Sequence, residues 1–187
     1  MNIAVMGKIR SGKSTVSDYI SKKLNTPIYD FGDALKEVVG IMYPHTKEVK
    51  DRALLQTVGQ HMRKIDEDVW VNALLDNMKN ENRKHNIVTG LRQPNEYKAL
   101  VERGFFIIKV VANEEDRIQR ATNSGDKMTL DSLNHETESY IDGFGYDFLI
   151  ENNGSLMELY SKVDSILRFL KSYNNLPTKN HPMGVKY

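Results

Sequence analysis

The sequence predicts a three-layer α/β/α fold on a five-stranded parallel sheet, and three observations point to it. Strand-like apolar runs alternate with helix-like segments along the 187 residues, as in a parallel sheet joined by right-handed crossovers. The first run, residues 3–6, is apolar throughout, as a central strand buried on both faces must be. It ends at Gly7-Lys8-Ile9-Arg10-Ser11-Gly12-Lys13-Ser14-Thr15, which fits G-x-x-x-x-G-K-[ST] and opens a helical pattern of Val16, Tyr19, Ile20 and Leu24.

In order, that helix spans about 14–24 and is stopped by Asn25-Thr26-Pro27. A short second strand covers 27–31. The segment 34–41 reads as helical and is broken at Tyr43-Pro44-His45, and two amphipathic helices follow near 48–60 and 67–80. Residues 86–91 form a third strand. The helix 94–103 has Pro at its start and Gly104 at its stop. The fourth strand, 105–111, is apolar except for Lys109. Helix 114–121 leads into a polar stretch at 122–126. The fifth strand is 147–151, and a closing helix runs over 155–171. The expected strand order is 2-3-1-4-5, with the ligand beyond the carboxyl ends of the strands. Residues 1–172 read as one domain with 34–80 as a helical cover over a second substrate; the polar tail 173–187 reads as loose or partner-bound.

Composition narrows the chemistry. A net charge of +1, with 40% hydrophobic and 27% charged residues, points to neither nucleic acid nor an anionic membrane as the partner. The absence of cysteine excludes thiol chemistry and disulfides, and the five histidines are too scattered for a zinc site. No apolar run approaches the ~18 residues of a membrane span, and no signal peptide fits before the first strand, so the cytoplasm is the expected compartment.

The loop carries the strongest chemical signal. Two glycines, Gly7 and Gly12, let the backbone wrap a polyphosphate with its amides inward, and the following helix adds its positive end. Lys13 suits the β- and γ-phosphates of ATP, and the Ser14 hydroxyl suits Mg²⁺. Ile9, Arg10, Ser11 and Thr15 complete the cradle, giving a P-loop NTPase fold. A GTPase would carry N-K-x-D, which this chain lacks, and its length does not suit a motor ATPase. Kinases of small molecules remain.

Four further stretches bear a family resemblance. They are Tyr29-Asp30-Phe31-Gly32-Asp33-Ala34-Leu35-Lys36-Glu37, Leu55 to Arg63 with Asp68-Val69-Trp70-Val71, Thr89-Gly90-Leu91-Arg92-Gln93-Pro94-Asn95-Glu96, and Asp147 to Leu156. In order over about 3–170, they resemble segments of phage-type deoxynucleoside monophosphate kinases. The resemblance implies transfer of the ATP γ-phosphoryl group to a deoxynucleoside 5′-monophosphate. It is compatible with a homodimer and suggests a phage origin.

A kinase needs several cations converging on phosphate. Arg92, at the end of the third strand, suits the monophosphate, or else pairs with Glu96 on the surface; Arg63 is a phosphate ligand or a solvated residue. Asp33 orients a substrate hydroxyl or base, or caps the next helix, and Lys36 is catalytic or simply exposed. Gln56 and Gln60, four apart on one helix, suit a base edge. Trp70 is a core residue, or, as the resemblance implies, lies near the nucleoside. Arg117 and Arg120 resemble lid arginines over the phosphates, with a lid at 117–135. Asn152, Asn153 and Gly154 either lie beside the adenine, as the resemblance suggests, or form a simple turn. One departure stands out: the family's acidic residue after the third strand is Gly90 here, with Asp30 or Asp33 as candidate substitutes. Dephospho-coenzyme A or phosphomevalonate-type kinases, and a regulatory nucleotide-binding protein without turnover, remain alternatives.

Overall fold

The computed structural model describes residues 1–44, 52–79, 83–124 and 136–174. Five strands, β1 (Asn2–Met6), β2 (Ile28–Asp30), β3 (Asn86–Thr89), β4 (Phe106–Val111) and β5 (Phe148–Glu151), pair in parallel in the order β2-β3-β1-β4-β5. This is the expected order. The helices are α1 (Lys13–Leu24), α2 (Asp33–Met42), α3 (Arg52–Ile65), α4 (Val69–Lys79), α5 (Pro94–Glu102), α6 (Glu114–Asn123), α7 (Glu136–Gly143) and α8 (Leu156–Asn174).

Alternation along the strands divides the core in two. Ile3, Val5, Phe106, Ile108 and Val110 face Val16 and Ile20 of α1 and Leu159, Val163 and Leu167 of α8. Ala4, Met6, Val88 and Ile107 face Val71 and Leu74 of α4 and Leu100 of α5. Full burial of each large aliphatic side chain contributes about 1.5–3 kcal/mol, so both faces of the sheet must be covered. Helix α2 packs on α3 and α4, forming the expected helical region after β2.

Several boundaries differ from expectation. Helix α3 runs to Ile65, beyond the predicted stop at residue 60, and passes through Gly59. A Cβ on Gly59 would lie 3.1 Å from Leu35 Cδ2, so the glycine lets α3 close on α2 rather than ending it. Helix α8 continues past residue 171 to Asn174, because Leu170 is buried and the Tyr173 ring lies 5.6 Å from that of Phe106. Helix α7 was not expected. Its Ile141 is buried, and its Asp142 makes polar contacts described below. The start of the predicted 48–60 helix, most of the central lid segment and the tail beyond 174 lie outside the described residues.

Candidate phosphate-binding site

Strand β1 feeds directly into the glycine loop. Gly7 has φ +156°, Arg10 φ +60° and Gly12 φ +102°. Gly12 must be glycine on two counts: its backbone is left-handed, and a Cβ would collide with the side-chain amide of Asn152. A Cβ on Gly7 would strike the Val110 carbonyl oxygen and lie 2.6 Å from Ser11 Oγ. The spacing that suits phosphate therefore also lets the loop seat against β4 and the end of β5.

The carbonyls of this loop are held from behind. Asn152, buried, donates from Nδ2 to the Ser11 carbonyl at 2.9 Å. Arg117, 8% exposed, donates from Nε to the Ile9 carbonyl at 2.8 Å. Arg120 donates to the Arg10 carbonyl at 3.4 Å and to the Asn152 carbonyl at 2.7 Å. A peptide's N–H points opposite to its C=O. Tying the carbonyls of Ile9 and Ser11 outward therefore turns the amides of Arg10 and Gly12 inward. Across the loop, Lys13 Nζ donates to the Lys8 carbonyl at 2.8 Å, and the Ser11 amide meets the same oxygen at 3.2 Å. Ser11 Oγ is buried and, among the described residues, has no hydrogen-bond partner. Ser14 is exposed at the start of α1, and Thr15 is half-buried. Inward amides, a lysine and a buried orphan hydroxyl fit a bound polyphosphate.

Beyond the carboxyl end of β3 a buried carboxylate holds the next turn and a neighbouring helix. Glu96, 1% exposed, accepts from the backbone N–H groups of Arg92 (2.8 Å) and Gln93 (3.0 Å) and pairs with Arg63 Nη2 at 3.2 Å. It thus fixes the Arg92 turn and ties α3 to α5, so the ion pair of Glu96 is with Arg63 and its bond to Arg92 is to the backbone. Burial pushes the Glu96 carboxyl above the usual carboxylate range, opposed by the Arg92 N–H and the Arg63 charge.

The other predicted residues are placed as follows. Trp70 is 3% exposed, and its indole donates to the Gly59 carbonyl at 3.3 Å. Gln56 and Gln60 are exposed on α3. Asp33 is the first residue of α2 and pairs with Lys36 at 2.8 Å, while Lys36 also approaches Asp30 at 3.8 Å. Asn153 accepts the Asn113 amide at 2.8 Å, which joins the β5 and β4 turns, and a Cβ on Gly154 would collide with Glu158.

Sequence reasoning gave no role to Lys109 or Asp142. Lys109, 8% exposed on β4, donates to the Asp142 carbonyl at 3.3 Å, and the Asp142 carboxylate pairs with Lys8 at 2.6 Å. Burial pushes the Lys109 ammonium below the usual lysine range, with Asp142 opposing and Lys8 adding. The available signal was the single charge inside an apolar strand. Among the described residues no cluster of three or more acidic, His or Cys side chains could cage a metal, and no helix is long and apolar enough to cross a membrane.

A central parallel strand turned by a glycine loop into a helix, with the loop's carbonyls tied back and a lysine bonded across it, defines the class of phosphate-loop α/β proteins. The chain belongs to the AAA_18 family, described as AAA domain, which matches residues 3–140. A search of curated proteins gives no match. Among solved structures, the chain is similar to a gluconokinase from Sinorhizobium meliloti (20% identity, TM-score 0.61, 91% of this chain and 93% of that one). It is also similar to the shikimate kinase of Acinetobacter baumannii in complex with shikimate (19%, 0.59, 94% of each chain) and to that of Aquifex aeolicus (23%, 0.54, 95% and 100%). At these identities the likeness is one of fold.

Proposed function

We propose that this protein is a small-molecule kinase that transfers the γ-phosphoryl group of ATP to a deoxynucleoside 5′-monophosphate, giving the diphosphate. One observation carries the reading: the loop's carbonyls are tied back by Asn152, Arg117 and Arg120, which turns the amides of Arg10 and Gly12 the other way, and Lys13 bonds across the same loop. The similar folds bearing kinase names support phosphoryl transfer, and the resemblance of the four sequence stretches supports the nucleotide acceptor.

In this reading Gly7 to Thr15 hold the ATP phosphates and Lys13 neutralises them. Arg10 lies within the same cradle. Arg117 and Arg120 act as positioning residues through the loop carbonyls, and Asn153 and Gly154 border the adenine side. Arg92, with its backbone fixed by Glu96, receives the acceptor phosphate; Arg63, Gln56, Gln60, Asp33, Lys36 and the neighbourhood of Trp70 form the acceptor side in 34–80. Magnesium, when bound, neutralises charge on the phosphate oxygens; Ser14 would hold it, and such a site needs only one or two protein ligands besides phosphate and water. We further propose one kinase domain over 1–172 acting in the cytoplasm.

The test is ADP release with Mg-ATP and each of dAMP, dGMP, dCMP, dTMP and their ribonucleotide counterparts, with dephospho-coenzyme A, shikimate and gluconate as comparators. Turnover on one or two deoxynucleotides supports the proposal. Turnover confined to a comparator overturns the acceptor, and ATP binding with no turnover on any acceptor overturns the kinase.

A further inference from the structure

Gly90, which follows β3, has φ +79°, and its missing side chain leaves a space filled by the carboxylate of Asp30 from the neighbouring strand. An ideal Cβ on Gly90 would lie 2.6 Å from Asp30 Oδ1, 2.8 Å from Cγ and 3.0 Å from Oδ2. No ordinary residue at position 90 is compatible with Asp30 in this place. Asp30 ends β2 and pairs with Thr89, so it leans across the end of β3. On its other side β3 pairs with β1, the strand that feeds the phosphate loop. We propose that Asp30 supplies the carboxylate that holds the nucleotide-bound Mg²⁺, directly or through a metal-bound water, together with Ser14. The inference rests on the reading of the loop as a Mg-ATP site.

The chemistry of the carboxylate fits. A magnesium ion at a phosphate loop takes a loop hydroxyl, phosphate oxygens, waters and a nearby Asp. Among the described residues, both polar contacts of Asp30 are made by Oδ1: it accepts the Gly32 amide at 2.7 Å and faces Lys36 Nζ at 3.8 Å. Oδ2 makes neither contact and remains for a metal or its water. The side chain is 29% exposed, open to a ligand yet held by the turn. Asp33 is the poorer candidate, because it is 56% exposed and already engaged by Lys36 at 2.8 Å. Lys36, nearer Asp33 than Asp30, is the one cation among the described residues that pairs with Asp30.

The experiment measures Mn²⁺, as a spectroscopic stand-in for Mg²⁺, by electron paramagnetic resonance on the full chain with ATP. Asp30→Asn keeps an acceptor for the Gly32 amide and removes the charge. The expected result is Mn²⁺ retention in the ATP complex weakened by about tenfold or more, with metal-free ATP affinity and melting temperature unchanged. Asp30→Ser, whose hydroxyl also suits the turn, serves as the second variant if the first fails to fold. Unchanged Mn²⁺ affinity in both variants, or a loss on Asp33→Asn instead, overturns the assignment. A wild-type chain that binds no ATP, with or without metal, overturns the phosphate-site reading and this inference with it. A wild-type chain that binds Mn²⁺·ATP tightly while Asp30→Asn matches it overturns this inference alone.

Discussion

The residues that matter most act on backbone rather than on solvent. Gly12→Ala adds a methyl group where Asn152 sits and forces a left-handed φ of +102° on a side chain, which alone costs about 1–2 kcal/mol; the variant should lower the denaturant midpoint and abolish tight ATP binding. Asn152→Ala leaves the Ser11 carbonyl without its buried donor; we expect a loss of about 1–3 kcal/mol, with weaker ATP binding in calorimetry. Glu96 adds a pH dependence. Between the ordinary carboxylate pKa and its raised folded value, the folded chain keeps a proton that the unfolded chain has released. That contribution is fully present below the ordinary value and fades as pH rises through the folded one. Glu96→Gln lacks it, so the stability of the wild type relative to the variant should fall with rising pH across that window, as read by urea unfolding at a series of pH values. The glycine spacing was legible from the sequence. That Gly12 makes room for Asn152 was not, since the two meet only after the chain returns 140 residues later.

At the scale of elements, strands were the most legible because β1 and β4 are buried on both faces and carry almost uninterrupted apolar runs. Helices were read well where an apolar stripe was long, and poorly where one contact decides the outcome. The helix expected near 48–60 runs on to Ile65 through Gly59, which sits under Leu35 and whose carbonyl accepts the Trp70 indole. Trp70→Phe should therefore cost about 0.5–1.5 kcal/mol from the lost hydrogen bond, besides any packing change, detectable as a lower melting temperature. Helix α7 was missed because it offers little amphipathic pattern; the Lys8–Asp142 ion pair and the bond from Lys109 to the Asp142 carbonyl hold it beside the loop and β4. Neither partner is near it in sequence.

At the scale of the molecule, the order β2-β3-β1-β4-β5 brings three distant segments to the end of the central strand: the glycine loop, the Asn152 turn and the α6 arginines. The order was predictable from alternating strands and helices and the position of the loop. The division of labour around it was not, since Arg117 and Arg120 show their guanidinium partners only once the chain is folded. In the proposed function this assembly moves a phosphoryl group, and Lys13 is indispensable to it. The most direct measurement follows γ-labelled ATP with a mixture of the four deoxynucleoside monophosphates, comparing the wild type with Lys13→Ala. We expect label to appear in a deoxynucleoside diphosphate with the wild type and transfer at background level with the variant, while the variant stays folded. Label that stays in ATP or appears only as free phosphate, or equal transfer by both proteins, would contradict it.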